Sequence, residues 1–300
     1  TKISLLYTLA YHSGGFLGKN TCSGEKMTIF SDLTQPLIMG ILNVTPDSFS
    51  DGGQYTGVES ALVQAQRMVE DGVDIIDIGG ESTRPGAEPV AAAEQIKRVV
   101  PVIKAIRAKL PATAISIDTT LSEVATAALA AGATMINDIS AGLNDKQILS
   151  LAAEKGTPII LMHIKGDPKT MQNAPYYEDV VSEALTHLRV RIEVALAAGV
   201  AKHQIVIDPG IGFGKRKQDN LDLLAHLDQF VAMGYPVLLG TSRKRFMGSL
   251  CDISEPTELV TATAVTTALA IMQGVQIFRV HDVKENRQAV DVTWAIKQAR

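Results

Sequence analysis

The chain has 300 residues, 46% of them hydrophobic and 20% charged, with a formal net charge of −4. That composition supports a sizeable core without disulfides or a structural metal and excludes intrinsic disorder. The negative charge argues against a nucleic-acid partner, which wants a basic face. Two cysteines, Cys22 and Cys251, are too few for a disulfide framework or a thiolate metal site, and the cytosol is the default compartment.

Residues 1–26 carry Tyr7, Tyr11, His12 and four glycines without sustained periodicity, and are expected to form a disordered extension. Leu5 to Tyr11 is mildly apolar, but Thr8 interrupts it, and a signal peptide wants an unbroken apolar run. Met27 opens the patterned part, 27–300, and is an alternative start. From Leu37 the chain alternates short apolar strands with amphipathic helices. The strands are predicted over Leu37–Asn43, Asp74–Gly80, Thr113–Asp118, Thr134–Ile139, Pro158–His163, Ile205–Asp208, Pro236–Gly240 and Gln276–Val280. Helices between them include Val58–Asp71, Ala92–Lys109, Ser122–Ala131, Glu178–Ala198 and Leu259–Met272. Gly72, Gly132, Gly156, Gly199, Gly234 and Gly274 stand where a helix-ending glycine belongs.

Leu259 to Phe278 carries no charge and has about the length of a membrane span. Its threonines and Gly274 favour a buried helix followed by a strand, and no membrane association is expected. Near-continuous apolar strands point to a parallel sheet covered on both faces. Eight successive strand–helix units predict an α/β fold, a single-domain (β/α)8 TIM barrel, with a doubly wound open sheet as the alternative.

Polar residues gather at the strand C-termini: Asn43, Glu81, Asp118, Asn137, Asp138, His163, Asp208, Ser242, Arg243, Lys244, Arg279 and His281. Any one of them could cap the following helix. So many polar tips, several of them basic, point instead to a site on the barrel's C-terminal face. Gly210-Ile-Gly-Phe-Gly-Lys215 resembles a phosphate loop, but Pro209 and Arg216 break the required spacing. Gly240-Thr-Ser-Arg-Lys244 lacks the second glycine of a nucleophile elbow.

Several of these tips lie in longer strings. Met39 to Gly53 (MGILNVTPDSFSDGG) and Asp77 to Gly86 (DIGGESTRPG) closely resemble the two loop motifs of the dihydropteroate synthase family. So do Ile117-Asp118-Thr119, Ile136 to Ile139, Leu161-Met162-His163, Ile207 to Lys215, Thr241 to Lys244 and Arg279-Val280-His281. The resemblance runs in order from Leu37 to the end of the chain. It implies a cytoplasmic barrel enzyme of folate synthesis that joins 6-hydroxymethyl-7,8-dihydropterin pyrophosphate to p-aminobenzoate, with Mg2+ required and sulfonamides as inhibitors. A homodimer built from the late helices is implied as well.

A dihydropterin offers a guanine-like edge of donors beside a carbonyl, and burying it requires carboxylate or amide oxygens and a cation. Asp118, Asn137, Asp208 and Lys244 supply that set. By resemblance Asp208 and Asn137 take the pyrimidine donors, Asp118 faces the ring N–H and Lys244 reaches the carbonyl, with Met162 and Phe213 against the ring faces. Arg279 and His281, which strand alternation puts on one side, would form the pyrophosphate pocket with Asn43, the residue also expected to meet Mg2+. Asp118 and Lys244 are the candidate catalytic residues. Phe49, Thr83, Arg84 and Pro85 would form the p-aminobenzoate site, on loops hinged at Gly52, Gly53 and Gly86. A methyltetrahydrofolate-dependent corrinoid methyltransferase would share the Asp/Asn/Asp pocket without needing Ser242-Arg243-Lys244. A non-catalytic pterin-binding paralogue is the alternative outside enzyme chemistry.

Overall fold

The structure, a computed structural model, describes residues 29–30, 33–44, 54–82, 86–166 and 169–300. The expected extension, 1–26, lies outside them. In chain order the elements are β1 (Leu37–Asn43), α1 (Gln54–Glu70), β2 (Ile75–Gly79), α2 (Ala92–Lys109), β3 (Ala114–Asp118), α3 (Ser122–Ala131), β4 (Met135–Asp138), α4 (Gln147–Lys155) and β5 (Ile159–Met162). There follow α5 (Val180–Ala197), β6 (Ile205–Asp208), α6 (Lys217–Ala225), α7 (Leu227–Val231), β7 (Leu238–Leu239), α8 (Arg245–Cys251), α9 (Val260–Met272), β8 (Ile277–Val280) and α10 (Val283–Gln298).

All the strands are parallel and lie in the order β6-β5-β4-β3-β2-β1-β8-β7. A single bridge between Ile207 and Val237 joins the two ends, with the Ile207 amide donating to the Pro236 carbonyl at 2.9 Å. Sequential order without a reversal excludes the doubly wound alternative and gives a nearly closed TIM-like barrel. β7 is shorter than the predicted Pro236–Gly240 because Pro236 has no N–H to give a ladder. The six predicted terminator glycines all have left-handed φ, from +62° at Gly156 to +119° at Gly132.

Strand alternation divides the side chains into two populations. Ile38, Leu42, Ile76, Ile78, Ile115, Ile117, Ile136, Ile159, Leu161, Ile205, Ile207, Leu239, Phe278 and Val280 face outward into one cluster with the helices. Leu37, Met39, Ile75, Met135, Ile160, Val206, Leu238 and Ile277 fill the lumen near the strand starts. Phe30 joins this inner cluster, with Ile29 and Leu33 packed against it, so the segment before β1 closes the N-terminal mouth. The uncharged stretch from Leu259 becomes α9 and β8, and no helix among the described residues is long and apolar enough to cross a membrane.

Ile160 is fully buried in the inner cluster. Ile160→Ala is expected to cost about 2–5 kcal/mol, because neighbours anchored on other strands cannot collapse into the gap. Urea unfolding should show a lower midpoint with an unchanged slope.

Candidate active site

Above the apolar floor the lumen turns polar. The inward positions one or two steps further along the strands are Asp77 on β2, Ser116 and Asp118 on β3, Asn137 on β4, Asp208 on β6 and Arg279 on β8, and none is more than one-fifth exposed. Arg279 ties this layer together. It donates through Nε to Asp77 Oδ2 at 2.6 Å and through Nη2 to Asp118 Oδ2 at 2.7 Å. Asn137 Nδ2 donates to the same Asp77 oxygen at 3.1 Å, which leaves the amide oxygen as the group Asn137 can offer a ligand.

Asp77 was not singled out by sequence reasoning as a site residue, although its position carried a signal. A carboxylate at an inward position in Ile75-Ile76-Asp77-Ile78 must be buried, and a buried charge demands a partner. Its Oδ1 is buried with no hydrogen-bond partner among the described residues, so its charge rests on Arg279 and Asn137.

Asp118 is pushed up to about 7, chiefly by burial, with Arg279 pulling it down and Asp77, Asp138 and Glu81 pushing it up. Burial also raises Asp208, against the pull of the Gly210 amide on Oδ1 at 2.6 Å and of Lys244. Lys244, at the start of α8, is lowered to about 7 by burial, with Asp208 opposing and Arg279 reinforcing the shift. Its ammonium donates to the Ile211 carbonyl and lies 4.3 Å from the centre of the Phe213 ring. Met162, buried and inward on β5, packs at Gly210. Asp118, Asn137, Met162, Asp208, Phe213, Lys244 and Arg279, the candidate pterin residues, are therefore brought together.

The other polar tips take different partners. Asp138 and His163 sit at outward positions. Asp138 Oδ1 accepts from the Ser140 amide at 2.8 Å and Oδ2 from the Gly142 amide at 2.6 Å, shaping the following loop. The His163 ring meets Lys215 Nζ at 3.0 Å and stacks edge-on against His187. Glu81 accepts from the Val90 amide at 2.7 Å and from Gln95 Nε2 at 3.1 Å. Arg243, at φ +58°, grips Asp282 with Nε at 3.0 Å and Nη2 at 2.5 Å. Ser242 Oγ lies 2.9 Å from His281 Nδ1, so the tips of β7 and β8 are fastened to each other. Asn43 ends β1 beside Gly79. Phe49, Thr83, Arg84 and Pro85 lie outside the described residues, as do the expected hinges Gly52 and Gly53.

A lumen holding two carboxylates on one arginine, an oriented amide, a third carboxylate and a lysine suits a flat heterocycle with a donor edge and a carbonyl. Residues 39–281 match the family described as pterin binding enzyme. A Synechocystis protein named dihydropteroate synthase is 46% identical over 269 residues, 90% of this chain and 93% of that protein. This chain belongs to the dihydropteroate synthase family. A Streptococcus pyogenes serotype M6 dihydropteroate synthase is 51% identical over 256 residues, covering 85% of this chain and 93% of that protein. Among solved structures, Yersinia pestis dihydropteroate synthase with a sulfonamide drug complex aligns at a TM-score of 0.83 and 45% identity, covering 89% of this chain and 96% of that one. Xanthomonas albilineans dihydropteroate synthase in complex with 7,8-dihydropteroate aligns at a TM-score of 0.79 and 42% identity, covering 93% and 98%.

In this dihydropteroate synthase lumen, removing Arg279 would strand two buried carboxylates. Arg279→Ala should therefore cost about 3–5 kcal/mol at pH 8, beyond any loss of activity. The deficit should shrink toward acid pH, because Asp118, which burial raises and Arg279 pulls down, titrates higher without the guanidinium and becomes neutral sooner. Melting temperatures at pH 8 and pH 6 test this, and equal deficits at both would contradict the arrangement.

Proposed function

We propose that this chain carries out the dihydropteroate synthase reaction of folate synthesis, with the pterin seated on the Asp118–Asn137–Asp208–Lys244 cradle. The observation that carries the reading is that Arg279, through Asp77 and Asp118, draws four strands into one pocket whose polar groups match a dihydropterin edge. Asp208 and the Asn137 amide oxygen accept from the pyrimidine donors, and Lys244 donates to the carbonyl. Met162 and Phe213 bracket the ring.

The bond from the exocyclic methylene to the pyrophosphate oxygen breaks, and the electron pair leaves with pyrophosphate. The cation left behind is delocalised into the ring, and ionised Asp118 stabilises it as preorganised charge. The arylamine nitrogen of p-aminobenzoate then forms the new C–N bond and loses a proton, with no enzyme nucleophile. The guanidinium nitrogen not engaged by Asp77 or Asp118, with His281 and Asn43, faces the departing anion. Phe49, Thr83, Arg84 and Pro85 are assigned to the p-aminobenzoate side, where sulfonamides would compete.

Among the described residues no group of three His, Cys, Asp or Glu side chains could hold a metal ion. Among the described residues the donor set would fit Mg2+ as a ternary site, with the Asn43 amide oxygen beside substrate phosphate oxygens and water. When bound there, the ion would neutralise charge on the leaving pyrophosphate. Calorimetry with the pterin pyrophosphate, with and without Mg2+, and then pyrophosphate release with p-aminobenzoate test the reading. Pterin binding without turnover would favour a non-catalytic paralogue.

The protonation states required, Asp118 ionised and Lys244 protonated, give opposite pH dependences. Since both groups sit near 7, kcat/KM for the pterin substrate should rise through neutrality on one limb and fall on the other. Asp118→Asn should abolish the acid limb and lower kcat by about 100-fold or more, with pterin Kd changed only a few-fold. A retained acid limb would remove Asp118 from the cation role.

Assembly completes the proposal. Val265 and Leu269 on α9 and Val292 and Ile296 on α10 are more than half exposed, two i,i+4 pairs on adjoining helices. Thr263 and Thr267 lie on the opposite, buried side of α9, and Thr267 Oγ1 donates to Asn286 Oδ1 at 2.8 Å. An aliphatic ridge of this kind suits a two-fold homodimer, with each site complete in one subunit. Sedimentation should give two chains per particle, and Leu269→Glu should give a monomer that retains activity. A wild-type monomer at micromolar concentration would refute the dimer.

A further inference from the structure

Lys215 takes no part in the chemistry above, yet it is a lysine only 3% exposed. Its ammonium donates to the Gly210 carbonyl at 2.7 Å and the Phe213 carbonyl at 3.0 Å, and lies 3.0 Å from His163 Nδ1, with the His163 carbonyl further off at 3.4 Å. With its three N–H groups occupied by these acceptors, it has nothing to offer a substrate. The turn wraps around the cation with its carbonyls pointing in, the reverse of a phosphate loop. Gly210, Gly212 and Gly214 make this possible at φ +70°, +81° and +62°. A Cβ on Gly210 would overlap the His163 carbonyl, and one on Gly212 would come within 2.8 Å of Lys244 Cδ.

The same turn supplies three parts of the pterin cradle. The Ile211 carbonyl accepts from Lys244, the Phe213 ring lies under that ammonium, and the Gly210 amide holds Asp208. We propose that Lys215 is a positioning residue for the pterin site: its buried ammonium, fixed between the β5 tip and the β6–α6 turn, sets where Lys244, Phe213 and Asp208 meet the ring.

The electrostatics agree with the geometry. Burial lowers His163 to about 2, with Lys215 and His187 adding to the shift, so the ring stays neutral and presents Nδ1 as an acceptor. Burial also lowers Lys215, to about 7, with Lys244 reinforcing this and Asp208 and Asp219 opposing it. The turn has further anchors, since Tyr177 Oη donates to the Gly214 carbonyl and Gln172 Nε2 to the Gly212 carbonyl, each at 2.8 Å. Loss of Lys215 should therefore loosen the turn locally without unfolding the barrel.

The inference rests on the pterin reading of the cradle, which wild-type calorimetry with a pterin tests first and separately. Lys215→Met should then raise KM for the pterin substrate and Kd for the pterin at least tenfold, with KM for p-aminobenzoate within twofold. In a Lys244→Ala background the same substitution should raise pterin Kd clearly less than it does in the wild type, because one of the three groups it positions is gone. A general packing role would instead raise both KM values together, or add in full to Lys244→Ala, and either result overturns the proposal. Should Lys215→Met fail to fold, His163→Leu keeps the lysine and removes its ring acceptor. Pterin Kd should then rise at least threefold, and an unchanged Kd would overturn the proposal equally.

Discussion

One guanidinium shared by two buried carboxylates holds the working layer of this barrel in place. Arg279 on β8 reaches Asp77 on β2 and Asp118 on β3, and Asp77 in turn orients Asn137 on β4. None of these charges could stand in the lumen alone, since isolated burial costs far more than a domain's net stability. The pairing is thus both a condition of folding and the frame of the pocket. Burial raises Asp118 to about 7, with Arg279 opposing the shift and the second carboxylate, Asp77, adding to it. A fully compensated group would offer a developing cation little, and an uncompensated one would not ionise.

The fold was legible because each strand carries two independent instructions. Apolar runs such as Ile75-Ile76 and Ile159-Ile160-Leu161 announce strands buried on both faces, and the glycines after the helices mark where each unit closes. Alternation then assigns faces, and it puts Arg279 and His281 on one side. Counted by position, Asp138 and His163 belong outside the barrel, whereas Asp77 belongs inside with Asp118 and Arg279. The seam between β6 and β7 was not readable, because it rests on one bridge set by chain closure.

The site was legible where ligand chemistry dictates residue type. Asp118, Asn137, Asp208 and Lys244 are the residue types that the edge of a pterin calls for, and the family resemblance pointed to them whatever supports them. The supports follow a different logic. Asp282, which fixes Arg243, and Asp77, which anchors Arg279, answer to partners far away in sequence. No local spacing announces such pairs, because the contacts exist only once the barrel has closed. Lys215 belongs to the same class: as a string it suggested an anion loop, whereas in three dimensions it is the cation that the loop encloses.

Among the described residues, Phe30, set with Ile29 and Leu33 against the strand starts, plugs the N-terminal end of the lumen and makes it a blind vessel. Traffic through a blind vessel is constrained by geometry before any affinity is considered. The ligand that occupies the deepest shelf must arrive before anything settles above it, and must depart after. With the proposed pterin cradle immediately above that floor, the second reactant would be layered on from the rim. The joined product must then be withdrawn tail first, its pterin end being the last part to lose contact with the wall.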